Sequence, residues 1–140
     1  MLDVLHRKKI KKLFPIQYMT YRAIFEGKDL VGRDRTGSGK TLAFSLPLII
    51  KMRELSLFKN SDRSVKILII LPTRELALQV RDEIQSLKLS YEDFSIGAVY
   101  GGSGMQEQMT MLKRGLDIVV GTPGRLMDFF EKGLINCSHT

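Results

Sequence analysis

Apolar positions along this chain alternate between continuous β-branched runs and stretches where they recur at helical spacing. That alternation predicts a parallel sheet with helices between its strands. Residues 15–25 and 40–52 carry helical spacing, the second strongly apolar and expected to be interrupted near Pro47, because proline removes a backbone donor. Residues 29–32 read as a short strand. Residues 65–71, VKILIIL, form an unbroken apolar run of the kind buried on both faces of a sheet. Leu76, Val80, Ile84 and Leu87 then mark one stripe of a helix over 73–87. Strands are expected over 95–100 and 116–120, and helices over 104–114 and 123–131, the last with Pro123 in its first turn. Residues 57–64 are the one clear loop. Each strand runs into a turn rich in Gly, Thr or Pro and then into a helix, so the special residues gather at the carboxyl ends of strands, where open α/β sheets bind ligands.

Composition narrows the class. The chain has 140 residues, 44% hydrophobic and 26% charged, with 12 Gly and 4 Pro. One globular domain fits this, and disorder, collagen-like repeats and a disulfide scaffold do not. The longest apolar stretches, 42–50 and 67–71, fall far short of the ~18 residues of a membrane span, and no secretory signal opens the chain, so a soluble intracellular protein is expected. Cys137 is the single cysteine, and His6 and His139 lack partners at metal-ligand spacing. Met105, Met109, Met111 and Met127 read as core filler. The net charge of +7 is concentrated in Arg7, Lys8, Lys9, Lys11 and Lys12; without those five and Asp3, 17 basic residues face 14 acidic ones. Such a run is either a solvated end or a contact for nucleic acid, and charge alone does not choose.

Chemistry enters directly after the first expected strand, with Arg35-Thr36-Gly37-Ser38-Gly39-Lys40-Thr41 opening the apolar helix. A triphosphate needs backbone N–H groups converging on its oxygens, an ammonium at its β and γ phosphates, and a hydroxyl on Mg²⁺. Gly37 and Gly39 permit the tight backbone, the helix start orients the N–H groups, Lys40 brings the charge and Thr41 the hydroxyl. The bland alternative is a flexible Gly/Ser turn. Six positions before Lys40, where the strict pattern wants Gly or a small residue, stands Asp34. A carboxylate there repels phosphate unless it points away or pairs with Arg33 or Arg35, which bears on affinity and not on the fold of the loop.

Read with four other segments, this loop resembles motif I of the DEAD-box ATP-dependent RNA helicases. Phe14-Pro15-Ile16-Gln17 is similar to the end of the family's Q motif, with Gln17 lying 23 positions before Lys40. Pro72-Thr73-Arg74-Glu75-Leu76-Ala77 matches motif Ia, Gly101-Gly102 the GG motif, and Thr122-Pro123-Gly124-Arg125 motif Ib. The L-F-P-I-Q form, the R-T-G-x-G-K-T loop and the Y-G-G segment lean toward the group resembling nucleolar RNA helicase II.

The resemblance implies an incomplete P-loop NTPase fold of RecA-like type, a parallel sheet flanked by helices, with residues 1–140 forming part of the first helicase domain. It implies ATP and Mg²⁺ as cofactors, with Thr36, Gly37, Ser38, Gly39, Lys40 and Thr41 around the phosphates and Thr41 reaching Mg²⁺. Lys40 and Thr41 are the expected catalytic pair. Gln17 reads adenine, since an amide offers a donor and an acceptor together; taken alone it could be a surface amide. Ile10 stands where relatives often stack an aromatic ring on the base, and Lys9 replaces their usual Gly. Thr73, Arg74, Gly101, Gly102, Thr122, Gly124 and Arg125 suit an RNA backbone, with few aromatics and so little sequence preference. The plainer reading pairs Arg74 with Glu75 and Arg125 with Asp128.

No Asp-Glu pair follows an apolar strand in these 140 residues. The resemblance places motif II, motif III and a second RecA-like domain beyond residue 140, with the motif II acids on Mg²⁺ and water. The chain alone is therefore expected not to turn over ATP and to leave an apolar sheet edge open beside the phosphate-loop strand. The expected whole is an ATP-dependent RNA helicase whose partners are RNA and that second domain, with no membrane. Rival readings are a non-catalytic nucleotide- or RNA-binding truncation and another P-loop ATPase such as a DNA helicase. A nuclear or nucleolar site is compatible with the basic run, and cytoplasm or organelle stay open.

Overall fold

The computed structural model describes residues 2–57, 64–89, 94–138 and 140. Residues 58–63, most of the loop expected over 57–64, and His139 lie outside them. In chain order the elements are α1 (Leu2–Arg7), α2 (Pro15–Phe25), α3 (Lys40–Glu54), β1 (Ile67–Ile70), α4 (Arg74–Gln85), β2 (Ile96–Val99), α5 (Met105–Lys113), β3 (Ile118–Gly121) and α6 (Pro123–Glu131). They fall into two compact units, Met1–Leu57 with Ser86–Glu92 and Phe58–Gln85 with Asp93–Thr140.

The second unit is built on a parallel sheet in the order β1-β3-β2. Ile118 of β3 lies opposite Ile67 on one side and Ile96 on the other, and Gly121 opposite Ile70 and Val99. The central strand is buried along its whole length. Around it Val65, Val99, Leu112, Leu116, Val119, Leu126, Phe129 and Ile135 form the core. Met105, Met109 and Met111 pack against that core as gap fillers, whereas Met127 is 57% exposed on the outer face of α6. Gly121 is required by close approach, since a Cβ there would lie 2.6 Å from Val99 Cγ2 and 2.8 Å from the Val99 carbonyl oxygen.

Parallel strands have no hairpin to set their register, and here a polar clasp at their amino ends does so. The Asp117 carboxylate accepts the Ser95 backbone N–H at 2.7 Å and the Ser95 hydroxyl at 2.9 Å. The Asp117 carbonyl accepts the N–H groups of Lys66 at 2.8 Å and Ile67 at 3.1 Å. One residue thus gathers the beginnings of all three strands, and a slip of one position would turn every core side chain to the wrong face.

The first unit contains α1, α2 and α3, with α2 packed on α3. Phe14 is extended, as the residue before a proline must be, and Pro15 opens α2 without losing a bond. The end of α1 is a Schellman turn: Lys9 N–H donates to the His6 carbonyl at 2.9 Å, and Ile10 N–H to the Leu5 carbonyl at 2.9 Å. Lys9 takes the left-handed position of that turn at φ +57°. Glycine adopts this conformation without strain, which explains in backbone terms the Gly that the resemblance puts here.

Three expectations are corrected. α3 runs unbroken through Pro47, because burial of Leu42, Ala43, Leu46, Pro47, Ile49 and Met52 outweighs the lost backbone bond. Residues 29–32 are not a strand; no described strand pairs with them, and Val31 is 98% exposed. β1 is covered only in part, Ile70 being exposed, because it is the edge of the described sheet and not its centre.

Two substitutions test these contacts. Asp117→Ala removes two charge-assisted bonds and is expected to cost about 2 kcal/mol of stability. Lys9→Gly relieves the left-handed turn and is expected to add about 1 kcal/mol. Denaturant midpoints check both; an unshifted midpoint for Asp117→Ala would mean that the clasp does not hold the register.

Candidate functional site

The loop of residues 34–41 turns sharply at two glycines before it enters α3. Gly37 at φ +81° and Gly39 at φ +78° take left-handed conformations that a side chain would strain. Gly39 is also the N-cap of α3, so the free N–H groups of the helix start follow directly from it. Lys40 donates its ammonium to the carbonyls of Asp34 at 2.9 Å and Arg35 at 2.6 Å. The lysine thus closes the loop onto its own peptide oxygens. Thr41 follows, half-buried in the first turn of α3.

Asp34 neither points away nor pairs with a guanidinium. Its carboxylate accepts the Arg35 backbone N–H at 2.8 Å. That bond, foremost, with the Ser38 hydroxyl and the charges of Lys40 and Arg35, holds its pKa below the usual carboxylate value. A cavity of about 370 Å³ opens between Phe14-Pro15 and residues 34–38, lining Thr36, Gly37 and Ser38 along one wall.

Gln17 is a buried residue, 4% exposed, and not a surface amide. At the third position of α2 its Oε1 accepts the Phe14 N–H at 2.8 Å, half of a capping box, and its Nε2 donates to the Gly39 carbonyl at 3.1 Å. The amide therefore ties the start of α2 to the phosphate loop across 22 positions of sequence. A Cβ on Gly39 would collide with this amide, so the glycine serves the tie as well as the turn. Ile10 is half-buried behind α1 and does not line the cavity; the aromatic residue that does is Phe14.

In the second unit the other candidates come from three loops at the carboxyl ends of β1, β2 and β3. Thr73 accepts the Leu76 N–H at 3.3 Å and so caps α4, and Thr122 stands at the N-cap of α6 before Pro123. Thr122 donates its N–H to the Val99 carbonyl at 3.0 Å, joining the β2 and β3 ends. Arg74 reaches the Gly102 carbonyl at 3.5 Å and lies over the Tyr100 ring at 4.9 Å. It is bound to the glycine loop and shows no ion pair with Glu75. Arg125 does meet Asp128, at 3.7 Å, with its side chain 10% exposed and set 5.7 Å from the Phe129 ring centre. Gly101, Gly102 and Gly124 are exposed.

Two residues of this surface were not legible as candidates. Gln108 is buried; its amide accepts the Tyr100 N–H at 3.1 Å, donates to the Tyr100 carbonyl at 3.1 Å and bonds the Ser103 hydroxyl, so it fixes the glycine loop. Tyr100 is the platform for Arg74. The signals were the place of Tyr100 in the Y-G-G segment and, for Gln108, a glutamine on the inner face of α5 between Met105 and Leu112. Among the described residues no cluster of three metal-binding side chains occurs, and no helix is long and apolar enough to cross a membrane.

Known proteins resemble this chain over most of its length. The sequence profile of the DEAD/DEAH box helicase family matches residues 14–139. DEAD-box ATP-dependent RNA helicase 7 of Spinacia oleracea is 47% identical over 137 residues, covering 95% of this chain and 20% of the relative. Nucleolar RNA helicase 2-A of Xenopus laevis is 39% identical over 127 residues, covering 91% of this chain and 16% of the relative. The crystal structure of the RNA helicase Prp28 from Chaetomium thermophilum bound to ADP matches with a TM-score of 0.84 at 36% identity, over 99% of this chain and 33% of that one. The parallel sheet flanked by helices is thus of the RecA-like type, and the chain spans about a fifth of the length of the curated relatives it matches.

Proposed function

Because the chain belongs to the DEAD/DEAH box helicase family, we propose that it is the ATP- and RNA-binding part of the first domain of an ATP-dependent RNA helicase. The observation that carries this reading is the cradle at residues 34–41, with two left-handed glycines, a helix start and an ammonium parked on peptide oxygens. An arriving triphosphate offers stronger acceptors than those carbonyls, so Lys40 turns to it as a charge-assisted donor.

Mg²⁺ fits this loop as a companion of ATP and not as a resident ion. Among the described residues no cluster of three acidic, histidine or cysteine side chains could hold the ion by itself. Mg²⁺ is commonly held by phosphates, water and one or two protein oxygens, of which the Thr41 hydroxyl would be one. When bound it neutralises charge between the phosphates. Gln17 keeps one Nε2 hydrogen and one Oε1 lone pair beyond its bonds to Gly39 and Phe14, enough for the adenine edge. Phe14 supplies an apolar wall to the cavity.

Arg74, Thr73, Gly101, Gly102, Thr122, Gly124 and Arg125 suit RNA phosphates and sugars. Their donors are peptide N–H groups, hydroxyls and guanidiniums, which position a strand without reading its bases. Hydrolysis and duplex separation would draw on more of a helicase than this chain, which spans about a fifth of the length of its curated relatives.

Nucleotide titrations test the first half. Lys40→Ala is expected to weaken ATP at least tenfold and to leave adenosine unchanged, and Gln17→Ala to cut the preference for ATP over GTP roughly tenfold. ATP binding that survives Lys40→Ala would remove the cradle from the reading. For RNA, Arg74→Ala is expected to weaken single strands of every sequence alike and to flatten the salt dependence by about 0.7 in log–log slope. A loss confined to particular bases would contradict backbone tracking.

A further inference from the structure

We infer that the Asp34 side chain competes with the nucleotide's phosphates for the loop and sets how tightly this chain holds a highly charged ligand, an inference that rests on the nucleotide reading above. Asp34 lines the same cavity as residues 35–38. Its carboxylate occupies the Arg35 N–H, one of the loop's backbone donors. Lys40 sits on the carbonyls of Asp34 and Arg35, so the cation that a phosphate needs and the anion that opposes it are held on adjacent peptide units.

In short, the loop carries an acceptor that imitates its ligand. A small residue at this position would leave the N–H free and add no charge. With Asp34 an incoming anion meets a like charge and must displace an internal bond as well. Unit charges a few ångströms apart at a protein surface alter affinity by roughly tenfold or more. The carboxylate is exposed, so salt must weaken the effect, and the effect must grow with ligand charge.

Calorimetric titration of the 140-residue chain and of Asp34→Asn, Asp34→Ala and Asp34→Glu with adenosine, ADP and ATP, at low and high salt, tests this. Asp34→Asn keeps the shape and the acceptor oxygen and removes only the charge. ATP is expected to bind roughly tenfold tighter to the Asn and Ala variants at low salt. The gain is expected to shrink at about 1 M salt, to be smaller for ADP and absent for adenosine, and Asp34→Glu is expected to stay near the wild type. Equal ATP affinity in wild type, Asn and Ala proteins, or an equal gain for adenosine, overturns the inference and leaves the nucleotide reading standing. If none of the proteins binds ATP although each melts cooperatively, the nucleotide reading falls and the inference with it.

Discussion

Parallel strands that share a sheet must all end on the same edge, and in this chain that constraint assembles the candidate RNA surface. β1, β3 and β2 run the same way, so the turns after them emerge together although Thr73 and Thr122 are far apart in sequence. Each of two turns leads at once into a helix, α4 or α6, whose first N–H groups lack intrahelical partners. Orphan donors and the positive ends of two helix dipoles therefore collect where the glycine loop also lies. An anionic backbone is the ligand such an edge favours before any particular side chain is considered. Arg74 adds charge to a surface that the topology has already oriented, whereas Arg125 is largely covered and paired with Asp128.

The polar ties keep that edge in place. Asp117 gathers the amino ends of the three strands, and Gln108 holds the main chain of Tyr100 at the opposite end of β2. A neutral bond such as those of Gln108 gains about 1 kcal/mol net, and a charge-assisted one such as those of Asp117 somewhat more. Their importance is geometric, because a buried amide or a part-buried carboxylate with several fixed partners admits one register and one loop conformation.

Elements with their own periodicity were legible in the sequence to within a residue or two. α4, expected over 73–87, is Arg74–Gln85, and α5, expected over 104–114, is Met105–Lys113. What depended on a partner was not. Residues 29–32 have a strand's composition, but a strand exists only with a ladder partner, and no described strand supplies one. Pro47 predicts a break from local rules, and the burial of α3 overrides it. At the site, the loop of Gly37, Gly39 and Lys40 was readable because its backbone needs particular residue types at fixed places. Gln17 was readable only by its distance from Lys40, and its tie to Gly39 needed coordinates. Gln108 carried no motif, and the Y-G-G segment that includes Tyr100 did not show what its ring does, since both act through contacts that sequence spacing does not encode.

The two ends of the loop over residues 34–41 are tied to each other by the loop's own charged groups. Here the lysine turns onto the carbonyls of Asp34 and Arg35, and the Asp34 carboxylate covers an amide. A phosphate bound by this loop would have to exchange those contacts for its own. Stability without ligand and affinity for ligand are therefore opposed at this loop, and the side chain at position 34 sets the balance between them.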